Sequence, residues 1–288
     1  MPLLCALAVL LLLAGLPAGG AQPLEPAVPR AAKPPAPPGR DPGGLAVALF
    51  ARGVDYTHPE LAPRLARDGE GELIGWDFVD GDRRPYAPAR SEAYPALDDA
   101  TALAIAIAAG EHRIVPLRVD PRRPESLGRA VAFTALTPAR LVAVPLAGVT
   151  AADWQFFARA AERSPHLLFF IPAGDEGKDL DREPRYPAAL KLANALVVTP
   201  ARTAVPLELQ PGANWGARSV DCAVLASATH QALAIAIAAA ARLAATRGLS
   251  GAELKAALLA GATARQSRDG ATPSQAPVRT RFSAVLTP

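Results

Sequence analysis

The sequence predicts an α/β fold, a parallel sheet covered by helices on both faces. Three observations predict it. Short, near-continuous apolar runs recur along the chain, helical patterns separate them, and half of the 288 residues are apolar. A strand buried on both faces has no polar side to alternate with, so it reads as an unbroken run, and alternation with helices argues for βαβ units.

The runs are Leu45 to Phe50, Ile114 to Arg118, Leu141 to Leu146, Leu167 to Ile171, Ala195 to Thr199 and Cys222 to Ala226. Helices fit Glu125 to Leu136, Ala152 to Arg163, and Gly251 to Leu259 with Ser250 in the N-cap position. One octapeptide, Ala-Leu-Ala-Ile-Ala-Ile-Ala-Ala, occurs twice, at Ala102 to Ala109 and Ala232 to Ala239. Its alternation has the period of a strand, but its alanine content favours helix, and an all-apolar helix must be buried. Helix is the preferred reading for both copies.

Four segments are expected from composition. Residues 1–21 read as a signal peptide, with an apolar run from Leu3 to Leu16 and small residues suited to cleavage after Ala21. Residues 22–43 are rich in Pro and Ala and read as a tether. Residues 44–264 form the folded domain, and 265–288 a loose tail. Export to the periplasm or the extracellular space follows, with no transmembrane segment in the mature chain. Cleavage would leave Cys222 as the single cysteine, which cannot form an internal disulfide and sits in an apolar run as a buried small hydrophobe. The formal net charge of +3, with both signs interspersed, is too weak and too mixed for a nucleic-acid-binding surface. The Arg-rich stretch Arg118 to Arg129 reads first as a solvated face and second as a partner site.

Val47-Ala48-Leu49-Phe50-Ala51-Arg52-Gly53-Val54-Asp55, followed by Thr57-His58-Pro59-Glu60-Leu61, resembles the first motif of the subtilisin-like serine peptidases, the subtilases. Further segments fit the same family in the same order: Gly75-Trp76-Asp77-Phe78-Val79-Asp80, Ile114 to Val119, Ala173-Gly174-Asp175-Glu176-Gly177, Tyr186-Pro187-Ala188 and Asn214 to Asp221. Several ordered motifs are specific where one alone is weak. The resemblance spans about residues 45–260 and implies a subtilisin-like parallel sheet with helices on both faces.

The resemblance also implies where catalytic residues belong. The family uses an Asp at the end of the first strand, a His and a Ser that each open a helix, and an Asn amide at the oxyanion. Those positions read Ala51, Asp99, His230 and Asp175 here. A methyl group cannot orient an imidazole. A carboxylate of ordinary pKa, near 4, is a poor base beside a serine. Imidazole cannot form the usual acyl ester, and a carboxylate repels a developing oxyanion. The strand that pairs with substrate in the family reads Pro145-Leu146-Ala147, and Pro145 has no N–H to offer. The segment between Asp221 and His230 is short by comparison with the family, which costs it part of the substrate wall. Ser227 is the nearest alternative nucleophile, and His58 reads as a structural turn residue.

The resemblance and its departures together imply a pseudopeptidase: an exported binding or scaffold module for an unknown protein or peptide partner, without cofactor. Two alternatives stand beside it. One is a serine endopeptidase with rearranged catalytic residues. The other is a metal-binding protein on the remodelled site, with Asp99, Asp175 and His230 as candidate ligands although no metal is expected.

Overall fold

The computed structural model describes residues 32–87, 97–204, 207–261 and 285–286. The expected signal peptide, the first part of the tether and most of the tail lie outside the described residues. Strands β1 (Ala46–Ala51), β2 (Trp76–Asp77), β3 (Arg113–Arg118), β4 (Leu141–Ala143), β5 (Leu168–Pro172), β6 (Ala195–Ala204), β7 (Leu207–Leu209), β8 (Cys222–Leu225) and β9 (Val285–Leu286) form one sheet. Its order is β2-β3-β1-β4-β5-β6-β8-β9; these neighbours pair parallel, while β7 pairs antiparallel with β6 off that path.

Both faces are buried, which is why β1 is apolar at every position. Ala46, Ala48 and Phe50 enter one core with α2 (Pro124–Ala135) and α3 (Gln155–Glu162). Val47, Leu49 and Ala51 enter the other with α1 (Leu97–Ala108), α4 (Thr229–Arg247) and α5 (Gly251–Gly261). Both copies of the octapeptide are helical, in α1 and α4, which lie on the same face and pack together. The first copy buries Leu103, Ala104, Ile107 and Ala108, and the second buries Ala232, Leu233, Ala236 and Ile237. Each set has the i, i+1, i+4, i+5 spacing of one helical face, so the helical period is the one that packs. Cys222 is fully buried, and burial pushes its thiol pKa upward.

Several boundaries differ from expectation for local reasons. β4 stops at Ala143, three residues early, because Pro145 cannot donate to a ladder. β6 runs on to Ala204 because β7 pairs with its end. The first turn of the helix expected from Ala152 is a 3-10 turn, Ala151–Trp154. At the end of the stretch expected to be loose, Val285 and Leu286 pair with Ala223 and Val224 of β8.

The second half of the expected tether is bound to the domain. A proline-rich extended chain lacks donors but keeps its carbonyls, and these are used. The Pro34 carbonyl accepts from the Tyr56 hydroxyl at 2.6 Å, and the Pro37 carbonyl accepts from Arg67. Asp41 accepts from the Arg67 N–H at 2.9 Å and from Arg113 at 2.7 Å. Lys33 donates to Asp77 and lies 2.9 Å from Asp80 and 3.1 Å from Asp82. Asp77 is fully buried, shared with Arg118 at 2.8 Å, and accepts from the N–H groups of Val79 and Asp80.

Burial alone would raise the Asp80 carboxyl. Hydrogen bonds from Lys33 and Arg118 outweigh burial and hold it at about 2. Burial likewise opposes the charged Lys33, but its carboxylate partners raise its pKa. A depressed carboxylate contributes stability above its unfolded value of 3.8, lost as pH falls toward 2; a raised lysine contributes below 10.5 and loses it above its folded value. Lys33→Met should therefore cost about 2 kcal/mol at pH 7, a part-exposed version of breaking a buried pair. In thermal melts the gap from the parent protein should narrow toward pH 2. An equal gap at pH 2 and pH 7 would mean that Lys33 acts by packing rather than charge.

Candidate functional site

Parallel strands send the loops at their carboxyl ends to one edge of the sheet, and that edge carries the sequence-derived candidates. Ala51 ends β1, with its methyl 1% exposed in the same core as Ala100 of α1 and Ala143 of β4. Its carbonyl accepts from the Val119 N–H at 2.8 Å. A methyl in that core holds no polar partner. Asp99 lies in the first turn of α1 by its place in the chain, and its side chain lies outside the described residues.

Asp175 follows β5 in a loop built around Asn214, which is 1% exposed. The Asn214 amide donates to the Ala173 carbonyl at 2.9 Å, and its oxygen accepts from the N–H groups of Glu176 and Lys178 at 2.9 and 2.8 Å. Its own carbonyl accepts from the Thr199 hydroxyl at 2.7 Å. Gly174 fits this arrangement: its φ is +100°, and a Cβ there would lie 2.7 Å from the Asn214 amide nitrogen. The loop turns the exposed Asp175 toward the start of α4, where its Oδ1 accepts from the Thr229 hydroxyl. A carboxylate beside a helix N-terminus is favoured by the helix dipole.

His230 is half-buried in the first turn of α4, and its side chain makes no hydrogen bond or ion pair among the described residues. Ser227, just before the helix, donates its hydroxyl to Gln231 Oε1 at 2.7 Å, and its N–H approaches the same oxygen at 3.3 Å. Thus Asp175 and the α4 N-terminus are brought together, and Ser227 is held by an amide. Among the described residues, no group of three His, Cys, Asp or Glu is arranged to hold a metal ion.

After β4, the Val144 N–H donates to Phe170 of β5 at 2.9 Å. Successive N–H groups of an extended chain point to opposite sides, so the next would face the β1 side of β4, and that residue is Pro145. Leu146 is buried and Ala147 exposed, and Gly148 exchanges both its backbone groups with Tyr186 at 2.8 and 2.9 Å.

His58 serves its own turn, its Nδ1 accepting from the Glu60 N–H at 3.3 Å. The Thr101 hydroxyl of α1 accepts from the Asp55 N–H at 3.0 Å and ties that turn to the helix. Sequence reasoning missed Asn214, Thr229 and Gln231 as organisers of the site. A hydroxyl and an amide flanking His230 were the visible signal, but their partners are set by the fold.

Asn214→Ala removes one donor and one doubly used acceptor from a buried position. It should cost about 2–3 kcal/mol, since each orphaned buried group costs about 1–3 kcal/mol. Urea unfolding monitored by tryptophan fluorescence measures this. A loss below about 0.5 kcal/mol would show that the loop does not depend on Asn214.

No family model matches the chain, and no curated protein sequence matches it. Solved structures do. The chain is similar to a lanthipeptide protease, with 16% identity, a TM-score of 0.59, and coverage of 85% of this chain and 86% of that one. It is similar to a structure described as the basis of subtilase cytotoxin SubAB assembly, with 19% identity, a TM-score of 0.61, and coverage of 86% and 88%. It is also similar to the epidermin leader peptide processing serine protease EpiP from Staphylococcus aureus, with 12% identity, a TM-score of 0.56, and coverage of 85% and 74%. At these identities the likeness is one of fold, and the fold is the α/β architecture of subtilase-like proteases.

Proposed function

We propose that this chain is an exported pseudopeptidase, a subtilase fold that has given up serine-protease chemistry and serves as a binding or scaffold module. One observation carries the reading. The two hydroxyls at the start of α4, Ser227 and Thr229, are hydrogen-bonded to the Gln231 amide and the Asp175 carboxylate. A serine nucleophile needs an imidazole to take its proton, and an oxyanion needs donors. In this reading Ala51, Asp99 and His230 stand where a triad would be, and Asp175 stands at the oxyanion position. Pro145 and the Gly148–Tyr186 pairing weaken the strand on which a substrate would lie. The apolar segment before Ala21 and the small residues around it support export.

The purified mature chain should not cleave casein above background. Triad residues act as a unit, so single reversions should leave activity unchanged. The combined variant Ala51→Asp, Asp99→His, Asp175→Asn and His230→Ser should stay at least about 10³-fold below an active subtilase, because Pro145 remains and the wall is short. Subtilase-level turnover by that variant would place the loss of function in the triad alone.

A further inference from the structure

The exposed arginines narrow the chemistry of the partner. β2, β3 and β1 lie side by side and parallel, so the loops at their carboxyl ends share one edge of the sheet. Those loops and the first turns of α2 carry the exposed Arg52, Arg83, Arg84, Arg122, Arg123 and Arg129. Hydrogen bonds hold two of them, Arg123 and Arg129, against the segment after β2. Arg123 donates to the Val79 carbonyl at 3.3 Å, and Arg129 to the Phe78 carbonyl at 3.4 Å. The Arg129 guanidinium also lies 5.8 Å from the centre of the Phe78 ring. Arg118 Nε donates to the Arg52 carbonyl at 2.9 Å, and Arg84 to the Lys33 carbonyl at 3.2 Å.

Most carboxylates of this region are engaged. Asp77, Asp80 and Asp82 surround Lys33, with Asp77 and Asp80 also bound to Arg118. Asp120 pairs with Arg122 at 3.2 Å. Arg52, Arg83, Arg84, Arg123 and Arg129 form no salt bridge among the described residues, although Arg52 lies close enough to Asp120 to help hold its carboxyl down. Asp55 and Glu125, the remaining acids of these segments, leave the surplus positive.

We propose that this arginine-lined edge docks an acidic peptide segment of a partner protein, an inference that rests on the binding-module reading above. Guanidinium groups present planar forks that match single carboxylates two bonds at a time. The carboxylates interspersed among them break the continuous positive field that a nucleic-acid backbone or an anionic bilayer requires. Arg52 directly follows Ala51, so the docked segment crosses the mouth of the site on α1 and α4.

The test is fluorescence anisotropy with the mature full chain and a fluorescein-labelled decapeptide of alternating Glu and Gly. Saturable binding that weakens with salt is expected. Arg52→Gln with Arg123→Gln should weaken it about tenfold or more. Arg163→Gln with Arg247→Gln, an equal loss of charge at the C-terminal ends of α3 and α4, should leave it unchanged. All four arginines are exposed, so neither pair of changes disturbs the core. Absence of saturable binding, equal weakening by both pairs, or displacement of the peptide by duplex DNA or anionic vesicles at equal charge would overturn the proposal. Mass spectrometry of the recovered peptide reads the underlying function separately: cleavage would overturn the pseudopeptidase reading while leaving the docking result standing.

Discussion

The parallel register of β3, β1, β4, β5 and β6 is the constraint on which the rest depends. Parallel pairing needs long crossovers; here α1, α2 and α3 lie in those between β1 and β5, while a long loop with one 3-10 turn joins β5 to β6. The same pairing delivers the end of β1, the loop after β5 and the start of α4 to one edge, although they are far apart in sequence. Arg118 shows the constraint in miniature. It pairs in register with Ala51 at the end of β1 while its side chain binds Asp77 at the end of β2 and Asp80 just after it.

Three polar side chains at that edge are tied to groups of the chain itself. Asn214 completes a loop, Asp175 binds Thr229, and Gln231 holds Ser227. The charge network from Lys33 to Arg118 follows the same logic, with a buried carboxylate surrounded by donors and two cations. Buried polar clusters of this kind are costly unless every member is paired, and here the chain supplies the partners from its own N-terminal segment.

Much of the fold was legible in the sequence because burial on both faces leaves a plain mark. The runs beginning at Leu45, Ile114, Leu141, Leu167, Ala195 and Cys222 all became strands, close to their expected starts, with β6 running on past Thr199 to Ala204. The octapeptide was harder, since its pattern alternates like a strand; the packing of α1 on α4 decides for helix. β7 was invisible because Leu207–Leu209 is three residues long and gains its identity from β6. The binding of residues 33–41 was invisible for another reason. Proline composition announces an extended chain, but not that Tyr56 and Arg67 await its carbonyls. At the candidate site, residue types were legible and partners were not. Asp175 was visible as a carboxylate, whereas its bond to Thr229 depends on a loop shaped by Asn214.

Whether any serine of this chain is activated decides the proposal that it is a pseudopeptidase, and covalent labelling tests it most directly. The mature protein, incubated with a fluorophosphonate beside an active subtilase as control, is read by intact mass. The account predicts no adduct on this chain under conditions that label the control fully. A stoichiometric adduct that maps to Ser227 and disappears in Ser227→Ala would contradict it.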